Sequence, residues 1–239
     1  MRVLLIIPAY NEEDNLERVV GLVDGYAREQ DLFSLDYIVV NDGSTDSTEQ
    51  LCREKGIRAI HLTQNLGIGG AVQTGYLFAM KMNYDIAVQF DGDGQHDINS
   101  LAELIQPLRD DLCDFTVGSR FIAEDNTFHS TKMRRFGIRF LCILIRLFTG
   151  EKTTDPTSGY RAANRRAIRF LAGSYPVDYP EPESLTTLIR NGFHVTEVPV
   201  CMNERTEGRS SIRSWKSAYY MIKVSLSIFC ASLQRKERS

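Results

Sequence analysis

The chain has little of what binds nucleic acid, knits a disulfide scaffold or crosses a membrane. Its formal charge is −3, so it lacks the net basic footprint of a general nucleic-acid binder, and any basic work must be local. The five cysteines, Cys52, Cys113, Cys142, Cys201 and Cys230, are odd in number, scattered and without a C-x-x-C pair. Neither a disulfide framework nor a zinc site is indicated, and a reducing cytosol suits them. No apolar run reaches the ~20 residues of a spanning helix. The first, Val3-Leu4-Leu5-Ile6-Ile7, is too short for a secretory h-region and leads into an acidic helical segment rather than a cleavage site, so it reads as a β-strand. Internal repeats, low-complexity segments and linkers are lacking as well. What remains is a chain of 239 residues, 43% hydrophobic and 25% charged, with the proportions of a soluble globular protein able to bury a sizeable core.

Short apolar runs at 3–7, 37–40, 57–62 and 85–90 alternate with helically periodic segments at 15–29, 47–55 and 70–82. That alternation predicts βαβ units around a buried parallel sheet. A doubly wound sheet binds ligands beyond the carboxyl ends of its strands, so the polar loops 8–13, 41–46 and 91–97 are expected to face one crevice. After 116–121 the texture changes to a basic, partly apolar stretch at 132–148 and a turn-rich stretch at 153–161. Helical patterns at 168–171 and 183–191 and a late strand at 195–200 follow, and apolar residues nearly encircle a last helix at 215–233. We expect one continuous α/β domain over 1–212 and a C-terminal amphipathic helical segment, a candidate for membrane association, over 213–239.

The densest chemistry lies in Val88-Gln89-Phe90-Asp91-Gly92-Asp93-Gly94-Gln95-His96, where an apolar strand runs into two carboxylates two residues apart. Hard cations such as Mg²⁺ or Mn²⁺ take oxygen ligands, commonly one or two carboxylates, and fill their other positions with water and nucleotide phosphates. Asp and Gly are also ordinary turn residues. Context favours the metal: the pair follows a strong strand, Gln95 adds an oxygen donor at the same two-residue step, and an extended segment would project all three side chains to one side. In Asn41-Asp42-Gly43-Ser44-Thr45-Asp46-Ser47-Thr48, Asp46 or Ser47 suits a helix N-cap. Asp42 is left at a strand tip, where its carboxylate can accept a nucleobase N–H. The glycines of Leu66-Gly67-Ile68-Gly69-Gly70-Ala71-Val72 fail the G-x-G-x-x-G spacing at Val72 and follow the wrong strand for a dinucleotide fingerprint. A Walker A motif is absent too.

Taken in order, Pro8-Ala9-Tyr10-Asn11-Glu12, the Asp42 loop, Asn65-x-Gly67 and Asp91-Gly92-Asp93-Gly94-Gln95 resemble the inverting family 2 glycosyltransferases of GT-A fold. Gly118-Ser119-Arg120, Arg134-Arg135 and Asp155-Pro156-Thr157-Ser158-Gly159-Tyr160-Arg161 look like the branch typified by dolichyl-phosphate mannose synthases and bacterial polyprenyl-phosphate glucosyltransferases. The resemblance runs in order along nearly the whole chain. It implies a Rossmann-like, doubly wound mixed sheet, mainly parallel, with helices on both faces. It implies that Pro8, Tyr10, Glu12, Asp42, Gly70, Asp91 and Gly92 line the nucleotide site. Asp91, Asp93 and Gln95 would hold a divalent cation, Mg²⁺ or Mn²⁺, and a catalytic set would comprise Asp91, Asp93, Arg120, Asp155 and either Glu181 or Glu183.

For the acceptor, guanidinium forks bind phosphate bidentately, and Arg120, Arg134 and Arg135 stand near the apolar Phe136, Phe140, Leu141, Leu144 and Phe148, which suit a bilayer surface with Arg139 and Arg146 to the polar side. Where the mannose synthase pattern has R-x-x-G-x-S-K, this chain has Arg205-Thr206-Glu207-Gly208-Arg209-Ser210-Ser211, which leaves Arg205 and Arg209 as further phosphate ligands. The implied reaction moves a sugar from a nucleotide-sugar to a polyprenyl phosphate, for the cell envelope or glycan modification. The expected location is the cytoplasmic face of the cell membrane, bound peripherally. The Asp42 loop looks closer to bacterial UDP-sugar enzymes than to the D-D-x-S-P-D of mannose synthases, so UDP-glucose or UDP-GlcNAc is the expected donor. A small integral membrane protein fits as partner, a homo-oligomer is compatible, and no nucleic acid is expected. Two alternatives stand beside this: a family 2 enzyme extending a saccharide with Glu181 or Glu183 as general base, and a non-catalytic nucleotide-sugar binding protein. Both glutamates also suit the first turn of a helix.

Overall fold

The computed structural model describes residues 1–122, 132–201 and 214–233. Seven strands form one sheet in the order β3-β2-β1-β4-β6-β5-β7. The first half alternates as expected: β1 (Arg2–Ala9), α1 (Leu16–Glu29), β2 (Ser34–Asn41), α2 (Thr48–Lys55), β3 (Ala59–His61), α3 (Gly67–Lys81) and β4 (Ile86–Gln89). β1 lies at the centre, parallel to β2 from Arg2↔Ser34 to Ala9↔Asn41 and to β4 from Val3↔Ile86 to Ile6↔Gln89. A strand covered on both faces needs apolar side chains at successive positions. Accordingly Val3, Leu5 and Ile7 enter the core beneath α1 while Leu4 and Ile6 enter the core on the α3 face, as the two-residue period of a strand requires.

The second half comprises α4 (Leu101–Arg109), β5 (Phe115–Ser119), α5 (Lys132–Thr149), β6 (Arg161–Asn164), α6 (Arg165–Gly173), α7 (Pro180–Arg190), β7 (Val195–Pro199) and α8 (Ser214–Leu233). Three of these elements, α4, β5 and β6, were not anticipated. α4 buries Leu101, Leu104, Ile105 and Leu108 at helical spacing, and Pro107, which cannot donate a helical hydrogen bond, sits in its last turn. β6 is antiparallel to both β4 and β5 and falls at the end of the stretch read as turns. Its sequence Arg-Ala-Ala-Asn has no β-branched or aromatic residue, so local propensity does not reveal it; its place between two strands makes it one.

α8 packs with α5 and α7 and buries Val224, Ile228 and Ala231. Its opposite side is apolar too, with Ile222, Leu226, Phe229 and Leu233 exposed. Met133, Phe136, Phe140, Ile143 and Leu147 are exposed along α5. Among the described residues, no helix is long and apolar enough to cross a membrane.

Candidate active site

The loops after β1 and β2 are stitched together by side chains that replace missing backbone pairing. Asn11, at φ +57°, accepts the Thr45 N–H at 2.8 Å, and its own N–H donates to Ser44 Oγ at 3.0 Å. The Glu12 N–H donates to Thr48 Oγ1 at 3.0 Å, and Asp46 Oδ1 accepts the Thr48 N–H at the start of α2. The carboxylate of Asp42, nearly fully buried, accepts the Leu66 N–H at 2.7 Å and so ties the loop before α3 to the same edge. Tyr10 leaves its ring about half exposed.

These loops surround a cleft of about 410 Å³ lined by Pro8, Tyr10, Glu12, Asp42, Asn65, Gly67, Ile68, Asp91, Gly92 and Asp93. Six of the positions expected at a nucleotide site therefore meet in one cavity. Gly70, also expected there, is in α3, whose Gly67, Ile68 and Ala71 form the wall.

After β4 the chain turns rather than staying extended, and Gly94 takes φ +74°, a conformation that costs glycine little. Asp93 Oδ1 accepts the Gln95 N–H at 3.0 Å, and the Gln95 side-chain amide donates to Oδ2 of the same carboxylate. Gln95 thus holds Asp93. His96, fully buried, accepts the Asp91 N–H on Nδ1 at 3.0 Å and places Nε2 3.5 Å from Asp91 Oδ2. Burial holds the imidazole pKa down against the pull of Asp91 and Asp93, and the network assigns the neutral ring's proton to Nε2. The ring stacks on Tyr160 at 4.6 Å. Gly159 closes the back of the site, where a Cβ would stand 2.8 Å from Asp91 Oδ2; any side chain there would push the carboxylate aside.

The 153–161 stretch is held by buried charge. Arg120, 5% exposed, donates from Nε and Nη2 to the two oxygens of the fully buried Asp155 at 2.6 and 2.7 Å, and to Thr157 Oγ1 at 2.9 Å. Glu197 on β7 accepts from Thr153 Oγ1, Thr154 Oγ1 and the N–H groups of Thr154 and Asp155. Arg161 is wholly buried and donates to the carbonyls of Pro156, Ser158 and Glu181 and to Ser184 Oγ. It thereby fastens the loop to the first turn of α7.

The two glutamates separate. Burial raises the Glu181 carboxyl above its usual pKa, Arg161 opposes the rise, and Asp91 adds to it, so Glu181 shares the electrostatic environment of Asp91. Glu183 is raised chiefly by burial and hydrogen-bonds Ser227 of α8, facing away towards that helix. Arg135 is exposed on α5 and is not part of the cleft wall. The Arg134 side chain and residues Arg205 and Arg209 lie outside the described residues. Sequence reasoning passed over Gln89, His96, Arg161 and Glu197. Only Gln89 carries a local signal, an amide inside an otherwise apolar strand.

The strand-tip cleft thus brings together an aromatic face, a buried carboxylate on one side and two turn carboxylates on the other. The model of the family described as "Glycosyl transferase family 2" matches residues 4–171. The chain belongs to that family and is a glycosyltransferase. It is 32% identical over 221 residues to UDP-N-acetylglucosamine–dolichyl-phosphate N-acetylglucosaminyltransferase of Methanococcus voltae, covering 83% of this chain and 84% of that one. It is also 32% identical to polyprenol monophosphomannose synthase of Mycolicibacterium smegmatis over 234 residues, 93% of this chain and 85% of that one. Among solved structures, glucosyl-3-phosphoglycerate synthase of Mycobacterium tuberculosis with Mn²⁺, UDP and phosphoglyceric acid shares the fold at TM-score 0.69 and 21% identity, covering 98% of this chain and 79% of that one.

Proposed function

We propose that this glycosyltransferase moves a sugar from a UDP-sugar to a polyprenyl phosphate at a membrane surface. The observation that carries the reading is the single cleft in which Tyr10, Glu12 and Asp42 meet Asp91 and Asp93. It sets a base-binding end and a diphosphate-binding end on one sheet edge. The half-exposed Tyr10 ring offers a stacking face, and Asp42 supplies an acceptor for a base N–H. Asp91 and Asp93 hold the diphosphate end. Their two carboxylates fit a hard divalent cation, which takes its remaining ligands from phosphate and water; among the described residues no cluster of three or more His, Cys, Asp or Glu forms a complete protein cage. When bound, the ion supplies neutralisation of the charge that builds on the departing diphosphate.

The relatives from Methanococcus voltae and Mycolicibacterium smegmatis are named for dolichyl-phosphate and polyprenol monophosphate chemistry, which supports a lipid phosphate acceptor. Such an acceptor is already an anion at neutral pH, so its oxygen attacks the anomeric carbon without a protein base, and in-line displacement inverts that centre. The exposed apolar residues of α5 and α8, with Arg135, Arg139 and Arg146 exposed on α5, present the amphipathic character that seats a protein in the headgroup region. Arg120 and Asp155 act from within, holding the acceptor-side loop in place. The saccharide-acceptor reading has one observation in its favour, the Glu181 carboxyl, whose pKa is raised by burial and, to a lesser degree, by the charge of Asp91.

Incubation of purified protein with radiolabelled UDP-sugars, Mn²⁺ and polyprenyl phosphate tests the choice. Label should enter the chloroform-extractable fraction; label confined to soluble oligosaccharide would select the alternative.

A further inference from the structure

Asp91 is held by a buried polar chain whose members do not line the cleft. Gln89 ends β4 at 1% exposure, between Val88 and Phe90, both buried. A buried amide left unpaired destabilises the fold, and here both ends are engaged. Nε2 donates to Asp91 Oδ1 at 3.3 Å, and Oε1 accepts the Tyr175 hydroxyl at 3.4 Å. The order is dictated by chemistry: an ionised carboxylate only accepts, so the amide nitrogen must face Asp91 and the amide oxygen is left for a donor. Tyr175 is that donor, since burial raises its phenol pKa well above the usual value and keeps the proton on. Its ring packs against Tyr76 at 5.6 Å in the α3-side core, which limits its movement. Gly159 completes the arrangement, its absent Cβ 3.2 Å from Gln89 Nε2 and 2.8 Å from Asp91 Oδ2.

We infer that Gln89 is a positioning residue for the metal-binding carboxylate of Asp91, and that Tyr175 fixes the Gln89 amide in its working orientation. The inference rests on reading Asp91 as a ligand of the divalent cation. Its physical content is pre-organisation: the carboxylate is oriented by a rigid, dry partner before nucleotide and ion arrive. Partners that orient ligands in this way typically change metal affinity by about 10–100-fold.

The test is Mn²⁺ binding in the presence of UDP, read from the electron paramagnetic resonance signal of the free ion, with UDP binding in EDTA measured in parallel. Gln89→Met keeps length and removes both polar atoms. It should weaken Mn²⁺ binding by about 10–100-fold and leave metal-free UDP binding within about 2-fold, because the nucleoside loops are built by other residues. Tyr175→Phe, which deletes one hydroxyl, should weaken Mn²⁺ binding by a smaller factor, about 3–10-fold, and it decides the matter if Gln89→Met does not fold. Asp91→Asn is the reference. Should Asp91→Asn lose Mn²⁺ while Gln89→Met and Tyr175→Phe bind it as the wild type does, Gln89 is core packing only and the inference falls. Equal losses of Mn²⁺ and metal-free UDP binding would place the effect in the fold and overturn it too. If Asp91→Asn itself retains Mn²⁺, the metal reading of Asp91 fails first.

Discussion

The two ends of the sheet are built from different materials. On the β3-β2-β1-β4 side, short polar loops leave parallel strands and are stitched to one another by Asn11, Ser44, Thr45 and Thr48, so ligand groups are set by contacts between the loops of adjacent strands. On the β6-β5-β7 side the scaffold is buried charge, Arg120 on the Asp155 carboxylate and Arg161 on the carbonyls of Pro156, Ser158 and Glu181, while two helices turn apolar side chains outward. The first end suits a nucleotide because polar side chains of adjacent loops fix one another around a partly exposed rim. The second suits an acceptor that is part anion and part hydrocarbon, with its charges buried and its apolar side chains turned outward.

The sharpest way to break this comparison is at the donor end. Asp93→Ala should remove turnover, by at least about 10³-fold, with thermal melting near wild type because the side chain belongs to a turn at the cleft; measurable transfer by this variant would take the diphosphate role from the loop. At the other end, Asp155→Ala leaves Arg120 buried without its counter-ion and should cost about 3–5 kcal/mol of stability by denaturant titration. A cost under about 1 kcal/mol would mean that the pair is solvated in solution.

The glutamates sharpen the boundary between the two ends. Glu181→Gln should leave transfer to polyprenyl phosphate within about 3-fold, because an acceptor that is already an anion needs no protein base, and Glu183→Gln, facing Ser227 of α8, should show chiefly as a lower melting temperature. A fall in kcat of about 10–100-fold for Glu181→Gln alone would select the saccharide-acceptor reading. On the apolar face, Leu226→Glu should weaken binding to anionic lipid vesicles by about tenfold, with transfer to a short, soluble prenyl phosphate unchanged.

The smallest effect is a pH dependence of stability. The folded-state pKa of Glu181 lies above the unfolded value, so the folded form holds the extra proton in the interval between them. Its contribution to stability therefore falls as pH rises through that interval. Glu181→Gln should melt with the wild type near pH 4 and above it at pH 8; parallel curves would show that the carboxyl is not desolvated.

Much of the donor end was legible in the order of residues. β1 to β4 and the three intervening helices follow from apolar runs and periodicity, and the loops after β1, β2 and β4, expected to face one crevice, do bring Tyr10, Glu12, Asp42, Asp91 and Asp93 to one cleft. Arg120 shows where the reading stops: a guanidinium signals anion binding, and only the fold reveals that its fork is already engaged by Asp155. Gln95 is similar, an oxygen donor by type that in place donates its amide to Asp93. β6 escaped because Arg-Ala-Ala-Asn has no strand propensity of its own.

The sequence by itself determined the family, the alternating core and the chemistry presented at the strand tips, because hydrophobic period and strand-end motifs are local properties of the chain. Tertiary structure alone decided that Glu183 turns to α8, which arginines are internal, and that Gln89, His96 and Gly159 converge behind one carboxylate. Those outcomes depend on burial and on contacts between residues far apart in the chain, which residue order does not encode position by position.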